Sequence, residues 1–175
     1  MLGAGSIVVT LYLMKHDPKL LERRLSAGPT VEKEKTQKVI MFFAMLGFVA
    51  LVVVPALDHR FMWSQVPTWV VVGGDLLIVL GYYIVFLVFK VNTFTAATVE
   101  IHEGQRVIST GPYAWVRHPM YFGGLLLLFG VPLALGSYWD LVVYIPLIPV
   151  LIWRLIDEEK LLAKDLPGYT SSFTK

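Results

Sequence analysis

Uncharged apolar stretches alternate with polar ones along this chain. Residues 2–14 carry no charge, 15–38 are polar and rich in both signs, and 39–57 are apolar throughout. A loop at 58–67 leads to a second clean run, 68–89, interrupted only by Asp75. A mixed loop fills 90–119. Two further apolar runs, 120–139 and 141–153, are parted by Gly136-Ser137 and Asp140. The tail, 154–175, opens with helical spacing and breaks at Pro167-Gly168. About 20 apolar residues suffice to cross a bilayer as a helix. Runs 39–57 and 68–89 meet that length. Run 2–14 falls short and reads as a partial first helix. The last two runs are tightly joined and predict a helical hairpin, with Pro132, Pro146 and Pro149 expected to kink it. The pattern therefore predicts an all-α integral membrane protein of about five transmembrane helices, the last two a hairpin, forming one domain over 1–175.

Composition supports this reading. The chain is 56% hydrophobic and only 16% charged, against about 25% charged in an average soluble domain. Charge placement then orients it. Of fifteen Lys and Arg residues, seven lie in 15–38, three in 90–119 and four in 154–175. In a five-pass arrangement fourteen of the fifteen share one side. The positive-inside rule makes that side cytoplasmic and puts the N-terminus outside. The first residues do not read as a cleaved signal peptide, because no basic stretch precedes the apolar run. A net charge of +2 without a basic stripe argues against a nucleic-acid partner. The lack of cysteine removes disulfides, thiolate metal sites and a cysteine nucleophile. No metal-ligand spacing is readable among the four histidines.

Three constellations remain as candidate chemistry. In the first, Thr110-Gly111-Pro112-Tyr113 is a turn, and Arg117-His118-Pro119-Met120-Tyr121 follows it into the fourth span. Pro119 suits the first turn of a helix. Gly123 and Gly124 would let a backbone or a flat ligand come close. The same residues also suit an interfacial anchor of aromatics and cations. The second is Arg154 and Glu158, spaced i, i+4 below the fifth span, with Glu159 alongside. They form either an intrahelical pair or a charged pair that meets a polar ligand. The third is Asp75, an ionisable group within a span and therefore a functional candidate.

Taken together, these motifs resemble the isoprenylcysteine carboxyl methyltransferases and their prokaryotic relatives, within the broader group of phospholipid methyltransferases. The resemblance rests on Arg117-His118-Pro119-Met120-Tyr121, the preceding Gly111-Pro112-Tyr113, and Arg154 with Glu158-Glu159 after the hairpin. It spans about 92–169, so the cofactor and active-site half would be about 92–175. It implies an integral-membrane methyltransferase using S-adenosylmethionine, with no glycine fingerprint of the soluble type. By motif position, cofactor contacts would come from Gln105, Arg106, Val107, Ile108, Tyr113, His118, Pro119, Met120, Tyr121 and Glu158, with Glu100 as a further polar contact. Arg154 would hold the methyl acceptor, and Arg154 and Glu158 would be the catalytic pair. Gln105 departs from the family, whose members often carry histidine there. The implied partners are a lipophilic small molecule or lipidated acceptor and membrane lipids, with no metal.

The acceptor stays open among carboxylate, amine and phenol-like groups. Two other function classes stay open beside the methyltransferase. One is a nicotinamide-dependent membrane reductase of the sterol-reductase type. The other is a non-catalytic transporter or interaction protein using Asp75, although no repeat of broken helices is evident.

Overall fold

The computed structural model describes residues 2–25, 35–95, 107–166 and 169. Among them it contains six α-helices and no strand: α1 Leu2–His16, α2 Pro18–Leu25, α3 Lys35–Phe61, α4 Thr68–Val91, α5 Pro119–Ala134 and α6 Trp139–Asp165. A single turn of 3-10 helix, Gly111–Ala114, stands between α4 and α5. The all-helical expectation holds. Three helices, α3, α4 and α6, are long and apolar enough to cross a membrane, fewer than the five expected. The difference lies in length. At 1.5 Å per residue, α1 with 15 residues and α5 with 16 reach only about 22–24 Å, against a hydrocarbon core of about 30 Å.

Helix boundaries also differ from those in the sequence reading. Helix α3 begins at Lys35 and runs through Pro55 to Phe61, so Gln37, Asp58 and His59 are helical. Helix α6 begins at Trp139, so Asp140 sits in its first turn instead of dividing two runs. Pro132, Pro146 and Pro149 all lie inside uninterrupted helices. The hairpin forms, with a turn at 135–138. However, α5 packs chiefly on α4, and α6 chiefly on α3.

The α4–α5 seam follows from glycine spacing. Gly74 and Gly81 on α4 are seven residues apart, as are Gly123 and Gly130 on α5. The helices run antiparallel, so Gly81 meets Gly123 and Gly74 meets Gly130. A Cβ on Gly81 would fall 2.8 Å from the Gly123 carbonyl, and one on Gly130 would fall 2.8 Å from the Gly74 carbonyl. Small residues at this spacing let backbones touch and gain dispersion contacts where lipid supplies no hydrophobic drive. Elsewhere the large apolar side chains point outward. Val52, Leu76 and Ile145 are all more than 60% exposed, as befits helices facing hydrocarbon instead of water.

At the end of the bundle away from the charged loops, polar groups tie the connections together. Asp58 is buried. Its Oδ1 accepts the Ser64 backbone N–H at 2.7 Å, and its Oδ2 accepts both the Ser64 hydroxyl and the Ser137 hydroxyl. The Ser137 oxygen in turn accepts the Asp140 N–H at 3.2 Å. One carboxylate thus joins α3, the α3–α4 loop and the α5–α6 turn. Asp58→Ala should lower the Tm of the purified protein by several degrees, with Asp58→Asn recovering part of the loss, because stranded buried hydroxyls and amides are costly. An unchanged Tm in a thermal scan would remove this role.

Candidate active site

The loop into α5 is shaped by two residues. Gly111 adopts φ +61°, a left-handed conformation natural to glycine. The turn it opens carries Tyr113, whose hydroxyl accepts a hydrogen bond from the Asn92 side-chain amide at 2.8 Å. Asn92 caps the end of α4. Pro119 starts α5 and is buried; its missing N–H costs nothing in a first helical turn. His118 precedes it and Tyr121 follows within the same turn, so both rings meet α6.

Three acidic residues in the second half of α6, Asp157, Glu158 and Glu159, each meet a partner on another element. The Tyr121 hydroxyl donates to Glu158 Oε2 at 2.5 Å. His118 Nε2 donates to Glu159 Oε1 at 2.8 Å, and Arg117 reaches the same oxygen at 3.3 Å. Arg117 thereby braces the loop against α6. The Arg154 guanidinium donates to Gln37 Oε1 at 2.9 Å, and the Gln37 amide donates onward to Asp157 Oδ2 at 2.6 Å. Gln37 is fully buried, so its amide has one orientation and fixes the guanidinium. Arg154 also bonds the Tyr121 hydroxyl. Arg154 and Glu158 therefore share more than helical spacing: cross-helix bonds hold both against α3 and α5.

These groups open onto a cavity of about 780 Å³, within the usual range of small-molecule sites. Its polar end is formed by Arg24, Asn92, Tyr113, Arg154, Glu158 and Tyr169. An apolar arm continues between α1, α3, α4, α5 and α6 past Val9, Met41, Phe48, Val85, Leu127 and Leu151. It reaches Ser6 and Tyr82, whose hydroxyls are 2.6 Å apart. Tyr82 lies nine residues before the end of α4, or about 13–14 Å into the bundle. Burial raises the Tyr113 hydroxyl pKa and the Glu158 charge adds to it, while the bond to Asn92 offsets part of the rise. Burial, with help from Glu159, pushes Tyr169 up to about 12. Both phenols stay protonated at neutral pH and can donate hydrogen bonds.

Of the residues singled out in the sequence, Val107, Ile108, Tyr113, His118, Pro119, Met120, Tyr121, Arg154 and Glu158 all line this cavity. Glu100, Gln105 and Arg106 lie outside the described residues. Asp75 is in the third turn of α4, near the opposite end, and does not line the cavity. Of the two adjacent glycines, Gly123 is closed against α4, whereas a Cβ on Gly124 would meet nothing within 4 Å and faces the cavity. Sequence reasoning missed Arg24, Gln37, Asn92 and Tyr169. Gln37 and Asn92 are polar side chains at the ends of apolar helices, Arg24 is one of several charges in a short polar helix and Tyr169 follows α6, patterns too common to single them out.

The sequence model of the phospholipid methyltransferases matches residues 69–167, more than half of the chain. That interval covers α4, α5 and α6 and most of the cavity's polar wall. No curated protein and no solved structure matches the chain. The family's enzymes are membrane methyltransferases that generally use S-adenosylmethionine, in keeping with the apolar helices on which the site is built. The chain belongs to the phospholipid methyltransferase family.

Proposed function

We propose that this protein transfers a methyl group from S-adenosylmethionine to a lipophilic acceptor at the membrane boundary, in the manner of the isoprenylcysteine carboxyl methyltransferases. The observation that carries the reading is a single cavity with two chemistries: a hydrogen-bonding, charged end and an apolar arm reaching mid-bundle. The donor set suits the cofactor. Glu158 can accept hydrogen bonds from its amino or hydroxyl groups. Tyr113, Tyr121 and His118 offer ring faces to an adenine or a cationic sulfur. When bound, the cofactor supplies an electrophilic methyl on sulfur. The protein's task is then to align two reactants. Arg154, held by buried Gln37, can grip an anionic acceptor through paired N–H bonds. A carboxylate acceptor needs no base. The arm can take the acceptor's hydrocarbon chain. Family membership weighs against the reductase and transporter readings.

The five-pass arrangement belongs to the same proposal. Helices α1 and α5 would complete the crossings by lying against longer neighbours in a locally thinned bilayer. The charged loops, and with them the cavity's polar end, would face the cytoplasm, where the cofactor is made.

Calorimetry of the detergent-solubilised protein with S-adenosylmethionine tests the reading: saturable heat is expected, and none with folded protein overturns it. Arg154→Ala should leave that binding within about threefold, an effect well under 1.4 kcal/mol, and slow methyl transfer strongly. Equal transfer by the variant would dismiss Arg154 as the acceptor's anchor.

A further inference from the structure

We propose that Arg24 is an anion-binding residue of the cavity and receives the carboxylate of the bound S-adenosylmethionine, an inference that rests on the methyltransferase reading. Arg24 lies on α2, outside the part of the chain that carries the family likeness. Its guanidinium stacks over the Phe89 ring at 4.7 Å and donates to the Thr95 carbonyl at 3.2 Å. It lines the cavity. Among the described residues no carboxylate stands within ion-pair distance of it. Arg154, by contrast, is held by Gln37, and Arg117 by Glu159.

A guanidinium carries five N–H donors and remains charged at any physiological pH. Arg24 commits one to the carbonyl. Burial opposes its charge, and a half-buried cation without an acidic partner is costly unless an anion completes it. The Phe89 ring covers the guanidinium, which lines the cavity with donors beyond the one given to Thr95, and a planar fork of donors suits a bidentate carboxylate.

The surroundings favour the cofactor as the source of that anion. Arg24 borders the polar end with Asn92, Thr95, Ser109 and Tyr113, not the apolar arm. Glu158 stands at the same end and supplies the negative charge that an ammonium and a sulfonium seek. Arg24 then supplies the complementary positive one. A zwitterionic ligand would be oriented between them, its sulfur fixed relative to Arg154.

The test compares two ligands that differ only in this group, S-adenosylmethionine and its decarboxylated analogue, by calorimetry on the full chain. The wild-type protein should prefer the carboxylate form by about tenfold or more, as charge-assisted bonds of this kind do. Arg24→Gln should abolish the preference, chiefly by weakening the carboxylate ligand, and Arg24→Lys should restore part of it. Arg23→Ala serves as the folding control. Arg23 shares α2, bonds the Lys19 and Thr93 carbonyls and does not line the cavity, so its variant should keep the preference. Should Arg24→Gln misfold, Arg24→Met carries the comparison, with the same loss of preference expected. A preference of wild-type size in the neutral Arg24 variant overturns the inference and leaves the methyltransferase reading standing. Failure of the wild-type protein to bind either ligand overturns both.

Discussion

Glu158→Ala is expected to weaken S-adenosylmethionine binding by about 100-fold and to abolish methyl transfer. The magnitude follows from the bonds at stake. A carboxylate bonded to a charged or polar ligand contributes about 1.5–3 kcal/mol per hydrogen bond, and Glu158 also accepts the Tyr121 hydroxyl at 2.5 Å. On the proposed reading, removing it takes away a ligand contact, and it also deprives the half-buried Tyr121 hydroxyl of its acceptor. Glu158→Gln, which keeps an acceptor but no charge, should fall between wild type and alanine. The neighbouring Glu159→Ala is the control. Glu159 serves His118 and Arg117, so its loss should loosen the loop and reduce binding less. Calorimetry and a labelled-methyl transfer assay read both. Equal effects of the two substitutions would show that negative charge near α5, not the Tyr121–Glu158 geometry, is what matters.

The second large effect is structural. Gly81→Ala should destabilise the protein by about 3 kcal/mol or more, at the upper end of overpacking costs. The new Cβ would stand 2.8 Å from the Gly123 carbonyl oxygen and 2.9 Å from the Leu127 nitrogen. Both are backbone atoms and cannot rotate away, so the helices must separate. Gly124→Ala makes the same chemical change one position beyond Gly123 and meets open space. It should be neutral or slightly stabilising, since alanine favours a helix over glycine by about 1 kcal/mol. Thermal unfolding in detergent compares them. A similar Tm for the two variants would mean that the α4–α5 seam tolerates separation.

The runs at 39–57 and 68–89 announced α3 and α4 because each is longer than any soluble core helix needs and almost free of charge. Asp140 misled the reading of the last two helices. A charge beside Gly136 reads as a loop, yet Asp140 is fully buried in the first turn of α6. Its backbone N–H is held by the Ser137 oxygen, while neither carboxylate oxygen meets a hydrogen-bond partner among the described residues. The spacing of Arg154 and Glu158 was legible, as was the Tyr113–Tyr121 stretch. What spacing could not supply was their partners. Gln37 lay in the polar stretch 15–38, outside the apolar run, and its importance comes from α3 starting earlier and packing on α6. Arg117 had no evident role until α6 brought Glu159 to it. Such contacts join residues 42 to 120 positions apart, and no local pattern encodes them.

Gly123 and Gly124 give the protein an adjustable gauge. One is sealed into the helix seam and the other looks into the cavity, because successive residues on a helix point about 100° apart. Bundle integrity and cavity volume are therefore set by different residues on the same turn. A side chain introduced at 124 would subtract its own volume from the space beside Leu127 and Leu128 without disturbing the backbone contact at 123. Substrate breadth could thus drift, or be engineered, at a position where folding imposes no toll.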